Sequence, residues 1–136
     1  MSQIEYSVMP QGQVLQDFSD CRARNSFIMG PLGSGKTVQC ILKLLDLMCE
    51  QEAVSDPQHK NYNKRLSRII AARNTYSELF STTIKDWLEV HGELGEFKQG
   101  NKEPPTHFMR FNLDDGTKVE CDVVFIAFDR PEHVKK

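Results

Sequence analysis

Gly30-Pro31-Leu32-Gly33-Ser34-Gly35-Lys36-Thr37 is the stretch that decides how the rest of this sequence is interpreted. It fits the pattern G-x-x-x-x-G-K-[ST] at every specified position. In this pattern glycines let consecutive backbone N–H groups converge on nucleotide phosphates, the lysine reaches the β- and γ-phosphates, and the hydroxyl ligates Mg²⁺. The stretch therefore predicts a nucleoside-triphosphate site in which Lys36 and Thr37 make the chemically decisive contacts.

The flanking sequence has the order that such a loop requires. Asn25-Ser26-Phe27-Ile28-Met29 is short and apolar enough to be a strand that enters the loop, and a helix is predicted from Lys36 to Ala53. The apolar residues of that helix recur at the spacing of one helical face: Val38, Ile41, Leu42, Leu45 and Met48. A strand, a glycine loop and a helix in this order direct a positive helix N-terminus at a phosphate. The alternative, a glycine-rich turn without a ligand, is less favoured because so many specified positions rarely coincide.

The bulk composition narrows the class of protein. The chain has 136 residues and a net charge of −2, so it is one domain or part of one, with no overall field that attracts nucleic acid. Its four cysteines form no C-x-x-C pair, which predicts small core residues in a reducing cytosol. The longest apolar run, Val123 to Phe128, is too short to span a membrane, and the N-terminus resembles no signal peptide. A soluble intracellular protein without a membrane partner is expected.

Two further segments of regular structure follow the first helix. Residues 54–66 lack periodicity and are predicted to form an exposed polar loop, with His59 and the later His91 as surface histidines. Arg68-Ile69-Ile70-Ala71-Ala72 is a second short strand. Thr75-Tyr76-Ser77-Glu78 is a capping box that begins an amphipathic helix, which Gly92 ends. The core-facing stripe of this helix contains Tyr76, Leu79, Phe80, Thr83, Ile84, Trp87 and Leu88.

The last third of the chain predicts a β-hairpin. Two apolar runs, one from Phe108 to Leu113 and one from Lys118 to Phe128, flank the turn Asp114-Asp115-Gly116. The second run ends as a continuous apolar stretch, which is typical of a buried central strand. The predicted fold class is α/β: a P-loop NTPase with a mainly parallel sheet, flanking helices and a β-hairpin.

Asp129 follows this strand, and the residues leave its role open. As the acidic residue at the end of an apolar strand it fits a magnesium ligand, but Arg130 stands where a catalytic Glu often follows. A cap for a helix that opens at Pro131 is an equally good interpretation. The guanine-reading pattern N-K-x-D and the pattern D-x-x-G are both absent from the sequence, which argues against a small G protein.

Three groups of residues together resemble the large terminase subunit of tailed bacteriophages. They are the loop from Met29 to Thr37, the segment Ala72-Arg73-Asn74-Thr75-Tyr76-Ser77-Glu78-Leu79 with Thr82-Thr83-Ile84-Lys85-Asp86-Trp87, and the closing run from Phe128 to Lys136. The resemblance extends from about Phe18 to the last residue. Many families share the loop, whereas the other two segments are far more particular to this one.

The resemblance implies an ATP- and Mg²⁺-dependent motor that pumps double-stranded viral DNA into a capsid. Its partners would be the portal and the small terminase subunit, and it would act in the host cytoplasm and transiently at the procapsid portal. Lys36 and Thr37 would contact the triphosphate and Mg²⁺, and the remaining loop residues would complete the nucleotide site: Gly30, Pro31, Leu32, Gly33, Ser34 and Gly35. Arg73 would lie at the carboxyl end of a strand, either as a nucleotide-side residue or in a salt bridge.

The resemblance also implies that residues 1–136 form the N-terminal portion of a P-loop ATPase domain, truncated at its C-terminal end. The Walker-B acid and the catalytic Glu would follow beyond Lys136, and the family's metal-dependent nuclease is absent. ATP binding with little or no turnover is therefore expected, together with an open sheet edge that predicts marginal stability or self-association. Two alternatives are a non-catalytic nucleotide-binding or assembly module and a self-sufficient small P-loop ATPase or kinase that uses Asp129.

Overall fold

A computed structural model describes residues 13–29, 36–100 and 103–129 of this chain. The chain divides into two compact units, residues 1–43 and 44–136, and each is described by itself. Helix α2 crosses the boundary between them. No helix in the described ranges is both long enough and apolar enough to cross a membrane.

The first unit contains α1 (Gln13–Asp20) and the first part of α2 (Lys36–Glu50). Lys43 is the residue that joins the two helices. Its Nζ atom donates a hydrogen bond to the carbonyl oxygen of Phe18 at 2.8 Å and lies 4.2 Å from the centre of the Phe18 ring. Since its ammonium group has both a carbonyl and an aromatic face, Lys43 tolerates being only 7% exposed.

Helix α2 agrees only in part with the predicted apolar face. Ile41, Leu45 and Met48 are buried as predicted, but Val38 is 44% exposed and Gln39 is buried. The helix ends at Glu50, three residues before the predicted end at Ala53. The amphipathic pattern therefore predicted the helix correctly and the start of its buried face incorrectly.

The strand predicted over residues 25–29 is not formed. Residues 26–29 have no regular secondary structure, although their exposure alternates as in a strand. Phe27 and Met29 are 89% and 90% exposed, so two of the three apolar side chains that suggested a strand lie in solvent. A five-residue segment gains its hydrogen bonds only from a neighbouring strand, which its sequence cannot supply.

The second unit contains a four-stranded sheet in the order β1-β4-β3-β2. Its strands are β1 (Lys64–Arg73), β2 (Glu96–Lys98), β3 (Thr106–Asn112) and β4 (Lys118–Ala127). Strand β4 is central, as predicted, because it pairs with β1 over its whole length and with β3 over Lys118–Val124. The turn at Asp114-Asp115-Gly116 joins β3 to β4 in the predicted hairpin, with Gly116 at φ 89°.

The prediction of a mainly parallel sheet is wrong. Only β1 and β4 are parallel, whereas β3 pairs antiparallel with both β4 and β2. The hairpin explains the difference, because a short turn can join only antiparallel strands and here it fills the side of β4 that a further parallel strand would need. The observed fold is a mixed α/β sheet with helices.

Strand β1 begins earlier than the sequence predicts. Its first residues are charged, and the sequence therefore predicts an exposed loop at Lys64 and Arg65, yet both belong to the strand. Lys64 forms an ion pair with Glu120 at 2.7 Å, and Arg65 forms one with Asp115 at 3.0 Å. These partners lie fifty or more residues away in the sequence, so periodicity alone gives no sign of them.

A helix built of three consecutive segments packs on one face of the sheet. They are α3 (Tyr76–Glu78), a π-helical segment (Leu79–Ile84) and α4 (Lys85–His91). The predicted stripe is confirmed at its centre, since Leu79, Ile84 and Trp87 are at most 3% exposed. Gly92 ends the helix in an ordinary helical conformation, and a Cβ atom there would lie 2.4 Å from the carbonyl oxygen of Leu88.

Two histidines complete the core between α4 and the sheet. His91, predicted to be a surface residue, is fully buried, as is His107 on β3. Trp87 Nε1–H donates a hydrogen bond to Nδ1 of His107 at 2.8 Å, and the Trp87 and Phe125 rings meet edge to face at 6.1 Å. Burial, with the charge of His91 as a smaller cause, lowers the pKa of His107 to about 4.

Acidification is expected to destabilise the fold through His107. The unfolded chain protonates this residue near pH 6.5 but the folded chain only near pH 4. The free energy of unfolding should therefore be fully present above pH 6.5 and fall by on the order of 3 kcal/mol as the pH drops to 4. Urea unfolding followed by Trp87 fluorescence at several pH values measures this slope, because Trp87 is the single tryptophan.

In that experiment His107→Gln should reduce the slope by one proton between pH 6.5 and 4. The matched control is His59→Gln, since His59 is exposed and its loss should leave the slope unchanged. Identical slopes in the native chain and in His107→Gln would contradict the assignment.

Glycine is required at position 95 but not at position 100. Gly95 has φ 112°, and a Cβ atom there would lie 2.0 Å from the carbonyl oxygen of Phe108. Gly95→Ala should lower the free energy of unfolding by about 2 kcal/mol or more, because the backbone strain and the clash add. Gly100→Ala, whose Cβ would meet nothing within 4 Å, is the control and should change stability little in the same urea titration. Equal stability of the two variants would show that the turn at Gly95 differs from the one described.

Candidate functional site

The predicted phosphate loop is described only at its C-terminal end. Gly30, Pro31, Leu32, Gly33, Ser34 and Gly35 lie outside the described residues. Lys36 and Thr37 are the first two residues of α2, where Lys36 is partly exposed and Thr37 is exposed. The structure thus places both predicted catalytic residues in the first turn of a helix of 15 residues.

The first described turn of α2 holds the two residues that the pattern assigns to the terminal phosphates and Mg²⁺. The first N–H groups of a helix have no partner within the helix and carry the positive end of its dipole. The first turn of α2 contains no acidic residue, so no carboxylate of its own competes there. The Lys36 cation and the Thr37 hydroxyl lie in the same turn, and these are the groups that a triphosphate with Mg²⁺ requires.

A second group of predicted residues lies at the carboxyl ends of β1 and β4. Arg73 and Ala127 are register partners there, and Phe128 N–H continues the ladder by donating to the carbonyl oxygen of Arg73 at 3.0 Å. Asp129 follows directly. In open α/β sheets, ligands bind at this edge. These residues belong to the second unit, whereas Lys36 and Thr37 belong to the first.

Arg73 forms a salt bridge, which is one of the two roles that the sequence allows for it. Its guanidinium lies 3.6 Å from the carboxylate of Glu78, with the two side chains 43% and 53% exposed. An ion pair this exposed is worth little in water, so it orients Arg73 without holding it firmly. Glu78 comes from the first turn of the helix that follows β1, and the pair therefore links the strand to that helix.

Asp129 acts as a helix cap, but for a helix other than the predicted one. Its Oδ1 atom accepts a hydrogen bond from the backbone N–H of Tyr76 at 2.9 Å. The hydroxyl of Thr75 accepts from the N–H of Glu78 at 3.2 Å, which confirms the Thr75 half of the predicted capping box. Two side chains thus satisfy the first turn of α3, one from the preceding residue and one from the neighbouring strand.

The metal alternative for Asp129 gains no support from its surroundings. Its Oδ1 atom is used by the Tyr76 N–H, and within the described ranges no group of three or more His, Cys, Asp or Glu side chains is placed to hold a metal ion. The helix predicted to open at Pro131 lies outside the described residues.

The cysteines form no disulfide. Cys121 is buried in the sheet, as predicted, and burial raises the pKa of its thiol. Cys40 and Cys49 are half-buried with their pKa values raised for the same reason. At Cys21 a hydrogen bond from the Ser26 hydroxyl is the main cause of a lowered pKa.

Sequence reasoning missed the contact between Asp129 and Tyr76. A capping box directly after one strand and an aspartate directly after a neighbouring parallel strand are the signals that would have indicated it, because the ends of parallel strands meet at one edge. The missing information was that the strands at Arg73 and Ala127 are neighbours.

Comparisons with protein-family models, with curated proteins and with solved structures found no match to this chain.

The cap assignment predicts different results for two substitutions of Asp129. Asp129→Ala removes the acceptor for Tyr76 N–H and should lower the free energy of unfolding by about 1 kcal/mol. Asp129→Asn keeps an oxygen acceptor and should cost only a few tenths of that amount, since Asn is as good a cap as Asp. Urea denaturation at pH 7 measures both. Equal losses would indicate that the carboxylate charge, and not the hydrogen bond to Tyr76, is what matters.

Proposed function

We propose that this chain binds ATP and Mg²⁺ through residues 30–37 and is the ATP-binding portion of a viral DNA-packaging motor, the large terminase subunit of tailed bacteriophages. The observation that supports the nucleotide site is that Lys36 and Thr37, the first residues described after the predicted loop, are both helical. It supports the proposal because the pattern requires its Lys and hydroxyl residue to open a helix directly after the glycine loop.

The residues that would hold the nucleotide follow from the pattern. Backbone N–H groups of the loop would bind the phosphates, Lys36 would neutralise the terminal phosphates, and the Thr37 hydroxyl would ligate Mg²⁺. Bound Mg²⁺ supplies charge neutralisation on the phosphate oxygens. Arg73 is a further proposed nucleotide contact, and its exposed pair with Glu78 is weak enough to exchange.

A P-loop NTPase fold is part of the proposal. The parallel pair β1 and β4 supports it, because the helix of α3 and α4 lies between the two strands in the sequence, followed by β2 and β3. A P-loop NTPase fold would also require residues 25–29 to form a strand when the nucleotide is bound.

The proposed chain binds ATP but turns it over slowly or not at all. Hydrolysis needs a carboxylate that holds Mg²⁺ and a group that orients the attacking water. Among the acidic residues that follow a described strand, Asp129 is the one that fits a Mg²⁺ ligand by sequence, because its strand ends in an apolar run. In the structure it caps α3.

The same proposal fixes the partners and the location. In the intact protein the motor would act on double-stranded DNA together with the portal and the small terminase subunit. It would work in the host cytoplasm and transiently at the procapsid portal, encoded by a virus or a prophage.

Nucleotide binding by this chain and by Lys36→Ala is the experiment that tests the proposal. Calorimetric titration of Mg·ATP should give saturable binding to the native chain, and Lys36→Ala should weaken it by at least about tenfold because the phosphate loses its cation. Lys60→Ala is the matched control, since Lys60 is an exposed lysine of the second unit and should bind as the native chain does.

Phosphate release measured in the same samples separates the motor portion from a self-sufficient ATPase. We expect binding without turnover in the native chain and in Asp129→Asn, which keeps the cap. Turnover that both Lys36→Ala and Asp129→Asn abolish would show that the site is complete in this chain. Absence of binding to the native chain would contradict the nucleotide site itself.

A further inference from the structure

The helix between β1 and β2 changes its turn size in the middle. Between α3 and α4, the π-helical segment Leu79–Ile84 has six residues. A π-helix bonds residue i to residue i+5, whereas an α-helix bonds i to i+4, so a single π turn adds one residue to the helix. The hydroxyl of Thr82 donates to the carbonyl oxygen of Glu78 at 2.7 Å, a contact of the kind that accompanies a bent helix. The helix therefore contains one residue more than an uninterrupted α-helix would.

The extra residue determines which side chains reach the core. Leu79 and Ile84 are 0% and 3% exposed although they lie five positions apart in the sequence. Five steps of an α-helix turn through about 500°, which would put these two side chains on different faces. The next buried positions, Trp87 and His91, have ordinary α spacing from Ile84 and from each other. The buried faces before and after the π-helical segment are thus in phase only because of the extra residue.

The sequence also fits a helix without the extra residue. One α turn before Ile84 lies Phe80, an apolar side chain that is partly exposed in the structure. A helix that is α throughout would bury Phe80, Ile84, Trp87 and His91, which have the spacing of a regular amphipathic helix. The adjacent residues Leu79 and Phe80 are therefore each suited to the same core position.

We propose that the π-helical segment is a register switch, in which the helix exchanges between the observed register and a second register that is α throughout. Helix α4 stays in place in both, because Trp87 is buried and bonded to His107. In the second register one residue passes from the helix to the loop after β1. Each residue of the first turn then takes the place of the residue before it, so Phe80 occupies the core position of Leu79.

The second register changes the contacts of the first turn. Tyr76 takes the place of Thr75, whose hydroxyl accepts from the N–H of Glu78 at 3.2 Å, and this cap is lost. Leu79 takes the place of Glu78, so the guanidinium of Arg73 loses its carboxylate partner. The switch therefore determines whether Arg73, at the carboxyl end of β1, is paired within the chain or available to an anion.

The cap from Asp129 is common to both registers. Its Oδ1 atom accepts from the N–H of Tyr76 in the observed register, and the N–H of Ser77 reaches the same position in the second. The observed register gains the cap from Thr75 and the exposed ion pair, whereas the second replaces the π turn with regular α hydrogen bonds. These opposing contributions keep both registers populated.

Relaxation dispersion of the backbone amides in NMR tests the switch, because it detects minor states that exchange in microseconds to milliseconds. The native chain should show dispersion at residues 73–84 and none in the middle of β4. Deletion of Ser81, an exposed residue of the π-helical segment, removes the extra residue. It should abolish the dispersion and raise the midpoint of urea unfolding. Deletion of Glu89, an exposed residue of α4, is the matched control and should lower that midpoint, because it breaks the helical phase.

Three substitutions distinguish the switch from simple fraying of the first turn. Thr75→Val removes a hydroxyl that only the observed register uses, and it should raise the population of the minor state roughly fivefold. Phe80→Ala removes the side chain that fills the core in the second register, and it should lower this population at least about tenfold. Asp129→Ala removes a contact that both registers make, so it should leave the population unchanged.

Fraying of the first turn would instead raise the population of the minor state in all three variants, and that result would overturn the proposal. A native chain without dispersion at residues 73–84 would overturn it as well, and so would dispersion that persists after deletion of Ser81. Each measurement is made without nucleotide, so the switch and the proposed function stand or fall separately.

Discussion

The pairing of β4 with a strand on each side is the interaction on which the rest of the second unit depends. One row of its side chains is fully buried: Val119, Cys121, Val123, Phe125 and Ala127. Such a row can be buried only if both edges of the strand are hydrogen-bonded and a helix covers that face. Trp87 and His107 meet over Phe125 for this reason, and their hydrogen bond fixes how α4 lies on the sheet. This hydrogen bond matters because Trp87 is buried, and an unpaired N–H group away from water would lower the free energy of unfolding.

The same pairing determines what happens at the carboxyl end of the sheet. Since β1 and β4 are parallel neighbours, the residues after each of them come together, and Asp129 reaches the first turn of the helix that follows β1. From the sequence pattern alone, the Asp129 carboxylate fits a metal ion and a later helix equally well. In the structure it caps α3, within this unit. Arg73 and Glu78 make a weaker link across the same corner. The cap from Asp129 and the Arg73–Glu78 ion pair therefore both lie at this corner.

Local chemistry explains why part of this fold could be predicted from the sequence. The helix from Thr75, the hairpin turn at Asp115 and the central position of β4 each follow from side chains within a few residues of one another. Strand order could not be predicted in the same way. Lys64 and Arg65 are strand residues because they pair with the first residues of β4, and His91 is buried in the core with Trp87 and His107. Of the candidate site, the sequence predicted that Lys36 and Thr37 open a helix, but it could not distinguish the roles of Asp129, because that choice depends on which strand lies beside β4.

Hydrogen–deuterium exchange of the whole chain with and without Mg·ATP tests the central claim most directly. The nucleotide account predicts that ATP slows exchange at the amides of residues 30–37, which would bind phosphate, and at residues 26–29, which would become a strand. Amides in the middle of β4 should already exchange slowly and change little. Unchanged exchange over residues 26–37 at saturating ATP, or protection confined to residues elsewhere in the chain, would contradict the account.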